Sequence, residues 1–507
     1  MEISSVDPKT GGFLPGNFTV STEEDLNGAI HAAKSDFEVI KKITGAQRAE
    51  FLEAIAQEIE ALGDELIERA CAESALPAAR ITGERGRTMG QLRLFASLLK
   101  EGSWVEASID TAIPDRAPLP KPDVRKMLRP IGPVAIFTAS NFPLAFSTAG
   151  GDTTSALAAG NPVIVKAHNA HLGTDQLVSG AIKKAAARTG MPSSIFQSVI
   201  GNDFSLGQQL VQHPDIKAVG FTGSFNGGKA LFDLACNRIE PIPVFAEMGS
   251  VNPTIVLPGA LSENGSEWAA KIAGSVTLGV GQFCTNPGVI LGLGGNGLDE
   301  FTEKLGESIK SSPSATMLHS GIASNFKDMS SQVLDAQGVQ TISESEDPGS
   351  ENSGRPMAAK TTAKDFMSND TLSQEVFGPF TLVVSNENKT ELHRLIAGLE
   401  GQLTITFIAN ENDIAEFEDM IHLAEEKAGR VIFNSVPTGV EVCHSMVHGG
   451  PFPATTNSNS TSVGTDAIKR FTRPVCFQDA PESILPDELK DGNPLGIFRK
   501  KNGEFSK

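Results

Sequence analysis

The sequence predicts an α/β fold with parallel sheets, divided among more than one domain. Three observations carry that reading. The 507 residues exceed the size at which a single hydrophobic core stops growing. From Gly132 onward, short apolar runs alternate with helical stretches, which is the pattern of β-α-β units. Before that point the chain reads as helical, and a proline-rich stretch separates the two textures.

Taken in order, residues 23–102 read mainly as helices. From Phe51 to Leu62, apolar side chains recur at helical spacing, and Gly63 stops the run. Residues 106–130 carry Pro114, Pro118, Pro120, Pro122 and Pro130, and read as an extended excursion outside the core. Strands are expected at Val134–Phe137, Pro162–Lys166, Ser194–Ile200 and Ile216–Phe221. Helices are expected over Thr153–Ala159, Leu177–Ala187, Leu206–Gln212 and Lys229–Cys236. A second α/β block over residues 250–445 places strands near Thr254–Leu257, Gly288–Leu293, Thr381–Val384, Gln402–Ile408 and Arg430–Asn434. Residues 343–358, rich in Ser, Glu, Pro and Gly, read as a solvated loop.

Composition excludes several function classes. A net charge of −19 argues against nucleic acid or an anionic membrane as partner. No apolar run approaches the roughly 20 residues of a membrane span. Met1–Asp7 lacks the basic and apolar regions of a signal peptide. The five cysteines are scattered without a C-x-x-C pair, which suits free thiols in a reducing cytoplasm. The absence of tyrosine excludes every hydride-transfer mechanism that depends on a catalytic Tyr. No metal site is expected: His168 with His171, and His444 with His448, do not form H-E-x-x-H.

Several short segments carry candidate chemistry. Cys284 lies in Gly281-Gln282-Phe283-Cys284-Thr285-Asn286-Pro287-Gly288, a loop bounded by glycine and proline. Its spacing alone favours a structural thiol over a nucleophile. Glu247, between an apolar run and Gly249, is a candidate general base whose pKa burial would raise toward neutrality. Taken by itself, it is equally a surface carboxylate at a strand end. Asn141, ahead of Phe142-Pro143, is either a turn residue or a neutral donor for an oxyanion. Lys166 ends a strand, where ligands of open α/β sheets bind. Gly223 and Ser224 lie in a turn leading into a helix, where a phosphate could be held, although the turn is not G-x-G-x-x-G. Glu375 and Phe377 sit beside a Gly378-Pro379 turn that says little by itself.

These segments, in this order, resemble the aldehyde dehydrogenase superfamily over nearly the whole chain. The resemblance rests on Thr138–Phe146, Val165-Lys166, Phe221–Ser224, Glu247–Gly249, Gly281–Gly288, Glu375–Pro379 and Phe433-Asn434. Within it, Phe245–Pro253, Gly281–Gly288, His448–Thr455 and the tail from Arg473 to Phe498 are similar to one branch. That branch holds the 2-oxoglutarate semialdehyde (2,5-dioxovalerate) dehydrogenases and the bacterial NADP-dependent fatty aldehyde dehydrogenases. Gly83-Glu84-Arg85-Gly86-Arg87 favours the first of these.

The resemblance implies roles for these residues. Cys284 would attack the aldehyde, Asn141 and the Cys284 N–H would hold the oxyanion, and Glu247 would activate the water that releases the acid. Lys166, Gly223 and Ser224 would bind the adenosine ribose and phosphates, Glu375 the nicotinamide ribose, with Phe377 beside it. Phe142, Phe283 and His448 would border the substrate pocket. Asn169 stands where many NAD-preferring relatives carry Glu, which opens the site to NADP. Asp203 and the lack of an arginine in Gly201–Ser205 oppose a 2′-phosphate, so either NAD or NADP fits, with the branch leaning to NADP.

The implied fold is a Rossmann-type cofactor domain (1–105 and 133–248), an α/β catalytic domain (249–445) and a small β bridging element (106–132 and 466–490). A homodimer or dimer of dimers is implied with it. The implied substrate is 2-oxoglutarate semialdehyde, with a long-chain aliphatic aldehyde as the alternative. Acylation of CoA is a further alternative, against which Glu247 argues. A non-catalytic scaffold is disfavoured by the joint presence of Cys284, Glu247 and Asn141. A cofactor-free cysteine hydrolase is disfavoured because the sequence suggests no histidine paired with Cys284.

Overall fold

The computed structural model describes residues 1–507. Four helices open the chain: α1 (Glu23–Ile40), α2 (Gly45–Ala61), α3 (Gly63–Ser74) and α4 (Ala78–Glu101). Thr22 and Thr44 start α1 and α2 with capping boxes closed by Asp25 and Gln47, which satisfy otherwise orphaned N–H groups. Gly63, at φ +57°, separates α2 from α3. The apolar stripe of α2 (Leu52, Ile55, Ala56 and Ile59) is buried together with residues of α4, α5 (Gly151–Ala159) and α6 (Leu172–Arg188) in the largest core cluster.

The first sheet is parallel throughout. Its strands lie in the order Phe196–Val199, Val163–Lys166, Val134–Phe137, Ala218–Thr222 and Val244–Glu247. Numbered along the chain, that is 3-2-1-4-5, the doubly wound order, whose switch point falls between Val134–Phe137 and Ala218–Thr222. Lys166 pairs with Phe137, and Thr222 with Glu247, so these residues share the carboxyl edge of the sheet. Two further helices flank it, α7 (Ser205–Gln212) and α8 (Phe225–Cys236). Helix α8 begins four residues earlier than the sequence suggests. Gly227 and Gly228 therefore lie in its first turns, and Ser224 is its N-cap.

The second sheet has seven strands, with Thr254–Val256 and Val289–Leu293 near its centre. Gln340–Glu344 pairs antiparallel at one edge, and the other pairings are parallel. The stretch 343–358 is thus not loop throughout: it holds the end of that edge strand, the strand Ser353–Gly354 and the start of Met357–Thr362. Only its middle, around Glu346–Glu351, is exposed connection.

A third sheet joins Thr472–Gln478, Val124–Pro130, Ser108–Asp110, Arg499–Lys501 and Glu504–Ser506. Its last two strands lie beyond residue 490, outside the segments the sequence reading assigned to this element. Thr465–Phe471, by contrast, is a 3-10 helix packed on α5. The proline-rich excursion is therefore partly strand, because Val124–Pro130 is long enough to pair with Thr472–Gln478 along its whole length.

Candidate active site

Glu247 ends the last strand of the first sheet, and Cys284 lies in the loop just before Val289–Leu293 of the second. The site is therefore built between the two sheets. Asn252 ties the two approaches together. It is fully buried, and its amide nitrogen donates to the carbonyls of Cys284 (2.9 Å), Asn286 (2.9 Å) and Ser250 (3.1 Å). Gln402 fixes the other side of the same turn, its carbonyl oxygen accepting from Val251, Asn252 and the Ser250 hydroxyl.

The backbone ahead of Cys284 is strained. Gly279, Val280 and Gly281 take φ of +55°, +60° and +66°. A β-branched residue in that region costs on the order of 1–3 kcal/mol, a cost found mainly where the surroundings impose it. At Gly281 a Cβ would also stand 2.2 Å from the carbonyl carbon of Gly378, so only glycine admits this approach of the Glu375–Pro379 segment.

His448 occupies the centre. Its Nε2 lies 2.9 Å from Glu247 Oε1 and 3.5 Å from Cys284 Sγ, and both the imidazole and the Glu247 side chain are buried. The sequence suggested no histidine for Cys284; the tertiary structure brings one from 164 residues away. The Ser462 hydroxyl donates to Glu247 Oε2 at 2.8 Å and also to the His448 carbonyl. Atoms of Glu247, Cys284 and His448 all approach within 4.8 Å, a set able to chelate a metal only by occupying the thiol. His168 and His171 stack with ring centroids 5.5 Å apart, whereas His444 Nδ1 lies 3.3 Å from the Thr465 hydroxyl.

Electrostatics separates the three acids. Burial pushes Glu247 upward, but the charge and hydrogen bond of His448, with hydrogen bonds from Ser462 and Cys284, outweigh it and hold the carboxyl below its ordinary range. The expected rise toward neutrality does not occur, because burial here comes with partners for the charged form. Glu375 lacks such partners. Burial raises it to about 7, opposed by the Ser250 N–H and reinforced by Glu247. The Cys284 thiol is pushed well above its usual value by burial, then by Glu247 and Glu375. It rests as a thiol, and a base would be needed to turn it into a nucleophile.

Asn141 donates through Nδ2 to the Gln282 carbonyl at 3.1 Å, which leaves its second N–H free beside the Cys284 loop. The backbone N–H of Cys284 donates to no protein atom. Two donors therefore stand ready for an oxyanion. Sequence reasoning missed what holds Asn141 in place. Buried Glu84, on α4, accepts from the backbone of Leu144 (2.8 Å) and Ala145 (2.9 Å). Arg80, one turn earlier, lies 3.5 Å from Glu84 and covers the rings of Phe142 and Phe283 at 4.5 and 4.7 Å. The i, i+4 spacing of Arg80 and Glu84 was the available signal.

The expected cofactor residues lie along the carboxyl edge of the first sheet. Lys166 closes its strand and donates to Asn169 Oδ1 at 3.3 Å. Gly223 donates to the Glu247 carbonyl, Ser224 caps α8, and the first N–H groups of α8 are available to an anion. Glu375 and Phe377 line a crevice with Ser250, Gly281 and Asn286. A Cβ at Gly249 would lie 2.5 Å from Glu375 Oε2, so glycine is what lets this carboxyl in. A helix start and a lysine at the carboxyl edge of the first sheet, with a separate crevice holding Glu375, fit a dinucleotide.

A model of the aldehyde dehydrogenase family matches residues 1–474. This chain belongs to the aldehyde dehydrogenase family. It is 48% identical over 503 residues to alpha-ketoglutaric semialdehyde dehydrogenase 2 of Azospirillum brasilense, covering 99% of this chain and 96% of that protein. It is 46% identical to the alpha-ketoglutaric semialdehyde dehydrogenase of Acinetobacter baylyi, covering 99% and 94%. Its fold is similar to that of GapN, a glyceraldehyde-3-phosphate dehydrogenase from Methanocaldococcus jannaschii solved with NADP. The TM-score is 0.79 at 19% identity, over 94% of this chain and 98% of that one.

Proposed function

We propose that this aldehyde dehydrogenase oxidises 2-oxoglutarate semialdehyde to 2-oxoglutarate with NAD or NADP. The observation that carries the chemistry is the convergence of Cys284, Asn141 and Glu247 between the two sheets. The substrate comes from the two full-length relatives, both of which bear that activity in their names.

In this reading Cys284 Sγ attacks the aldehyde carbon. Glu247, a carboxylate within reach of the thiol, takes the proton, and the Asn141 amide and Cys284 N–H receive the developing oxyanion. A preorganised donor of this kind contributes about 3 kcal/mol. A nicotinamide cofactor would supply the hydride acceptor for this oxidation, after which Cys284 carries the acyl group as a thioester. Once it has released the thiol proton to solvent, Glu247 deprotonates the water that releases the acid, with His448 and Ser462 holding its two oxygens in place. Lys166 and Ser224 would hold the adenosine half of the cofactor, and Glu375 the nicotinamide ribose. With Asn169 in place of a carboxylate, NADP is accepted.

No helix is long and apolar enough to cross a membrane. We place the protein in the cytoplasm as a homodimer or dimer of dimers assembled through the third sheet, which light scattering tests. The functional test is a parallel assay of 2-oxoglutarate semialdehyde, pentanal and dodecanal with NAD and with NADP, with and without CoA. The proposal expects highest kcat/KM for the semialdehyde and free acid as product. Preference for dodecanal overturns the substrate, an acyl-CoA product overturns the hydrolytic step, and reduced cofactor formed by Cys284→Ala overturns the mechanism.

A further inference from the structure

The loop that carries Asn141 is clamped at both ends. At one end buried Glu84 accepts from the Leu144 and Ala145 N–H groups. At the other, His171 Nε2 lies 2.9 Å from the Ala139 carbonyl oxygen. A carbonyl only accepts, so Nε2 carries the hydrogen and donates. This is the one hydrogen bond the imidazole makes: the ring is buried, and its Nδ1 has no partner. His171 precedes α6 without capping it, because Glu73, on α3, takes the Gly173 and Thr174 N–H groups instead. Between the clamps, Ser140 and Asn141 make no backbone–backbone hydrogen bond.

The imidazole is itself gripped. His168 lies against it with planes 27° apart, and the His319 ring stands 6.2 Å beyond His168, separations that suit aromatic contact. His168 Nδ1 accepts from the Ala170 N–H at 3.2 Å, and His319 Nδ1 from the Ile322 N–H at 3.3 Å, which fixes both rings. Burial pushes His168 well below the usual histidine range and His319 below it, so neither adds a charge to the stack at neutral pH. His319 caps the helix Ser320–Leu334, whose Ala323, Phe326 and Val333 join the core of the second sheet. It follows Leu318, whose N–H donates to Gln282 Oε1 at 3.1 Å, and the Gln282 carbonyl accepts from Asn141. The contacts therefore close a ring, from Asn141 through Gln282, Leu318 and the three histidines to Ala139. The histidines join the two sides of the site by a route separate from the Asn141–Gln282 bond, and His171 is the member that hydrogen-bonds to the Asn141 loop.

We propose that His171 is a positioning residue for the oxyanion: its Nε2–H fixes the Ala139 carbonyl, and through it the place of the free Asn141 N–H beside Cys284. This rests on the mechanism above, in which Asn141 receives the oxyanion. A donor lowers the barrier fully only if it is already aimed when charge develops, because reorienting it at that moment costs what the interaction contributes. Asn141 is anchored through a single amide hydrogen, so its aim depends on where its backbone stands. Glu84 settles the Leu144 side of that backbone, and His171, gripped by His168, settles the Ala139 side.

The test is a double-mutant cycle in the full-length enzyme: wild type, His171→Phe, Asn141→Ala and the double variant, each assayed with 2-oxoglutarate semialdehyde and with pentanal. Phe keeps a ring for His168 to stack on and removes the hydrogen bond. By itself it is expected to lower kcat and kcat/KM alike, about 10-fold for both aldehydes, a part of the roughly 100- to 1000-fold that loss of an oxyanion donor costs. In the Asn141→Ala background the same change is expected to cost less than about 2-fold, because no amide is left to aim. The cycle run with His171→Ala is expected to show the same pattern, so the outcome does not hang on Phe being accommodated. His171→Gln keeps a donor and is expected to recover part of the loss. Equal losses in both backgrounds, no loss in either, or a Gln variant no better than Phe overturns the assignment. Failure of the underlying mechanism looks different: Asn141→Ala alone then keeps the wild-type kcat.

Discussion

His448 Nε2 stands 2.9 Å from Glu247 Oε1, and this buried contact helps set the charge state of the Glu247 carboxyl. Burial by itself would keep Glu247 protonated; the imidazole and Ser462 keep it charged. Replacing His448 with Gln removes the largest of these compensations. The Glu247 pKa is then expected to rise, moving the acid limb of the pH–kcat profile to higher pH and lowering kcat at pH 7 by about 10- to 100-fold. A profile whose acid limb stays in place would show that His448 does not act through Glu247.

The raised pKa of Cys284 makes it the slow thiol of the free enzyme. Cys236 and Cys476 are exposed. Peptide mass spectrometry after iodoacetamide treatment at pH 7 is expected to find those two labelled before Cys284. Labelling of Cys284 should accelerate as pH is raised toward 9 and beyond, because the thiolate is the reactive form. Preferential labelling of Cys284 at pH 7 without cofactor would contradict this electrostatic picture.

Glu375 titrates in the opposite sense to Glu247. Its folded pKa of about 7 lies above the roughly 4.3 of an unfolded chain. Between those values the unfolded state has lost its proton and the folded state has not, so stability falls as pH rises through the window and then levels off. Glu375→Gln removes that loss. The melting temperature of the variant relative to wild type is expected to be higher at pH 8 than at pH 4.5, by calorimetry. A difference that shrinks with pH would refute the burial argument.

Gly281→Ala tests the close approach beneath the Cys284 loop. Its φ of +66° disfavours any side chain, and the added methyl would meet the Gly378 carbonyl at 2.2 Å. The loop or the Glu375–Pro379 segment must move. Loss of several kcal/mol in stability is expected from denaturant unfolding, together with a rise in KM for the cofactor, since Glu375 moves with Gly378. Wild-type values for both would mean the approach is looser than it stands.

Much of the first sheet was legible in the chain itself. Val134–Phe137 is a strand with the bounds its apolar run suggested. Such strands are buried on both faces, so they write continuous apolar runs that need no context to recognise. The start of α8 was misplaced because Gly227 and Gly228 read as a turn, whereas the Ser224 cap overrides their weak helix propensity. The third sheet was legible only in part. Several of its strands are very short, and two of its pairings join segments hundreds of residues apart.

At the site, the sequence by itself determined which groups are available: one cysteine in a glycine-bounded loop, one carboxylate at a strand end, one amide before Phe-Pro, and no tyrosine to compete. Only the tertiary structure decided their chemical state. Glu247 is held ionised and Glu375 near neutrality, although both are carboxylates beside glycines, because one receives hydrogen bonds from His448 and Ser462 and the other meets mainly desolvation. His448 pairs with Cys284 through a contact spanning more of the chain than any local pattern can encode. A residue type follows from the chain, but its pKa depends on which atoms surround it, and that is settled when the sheets and α4 come together.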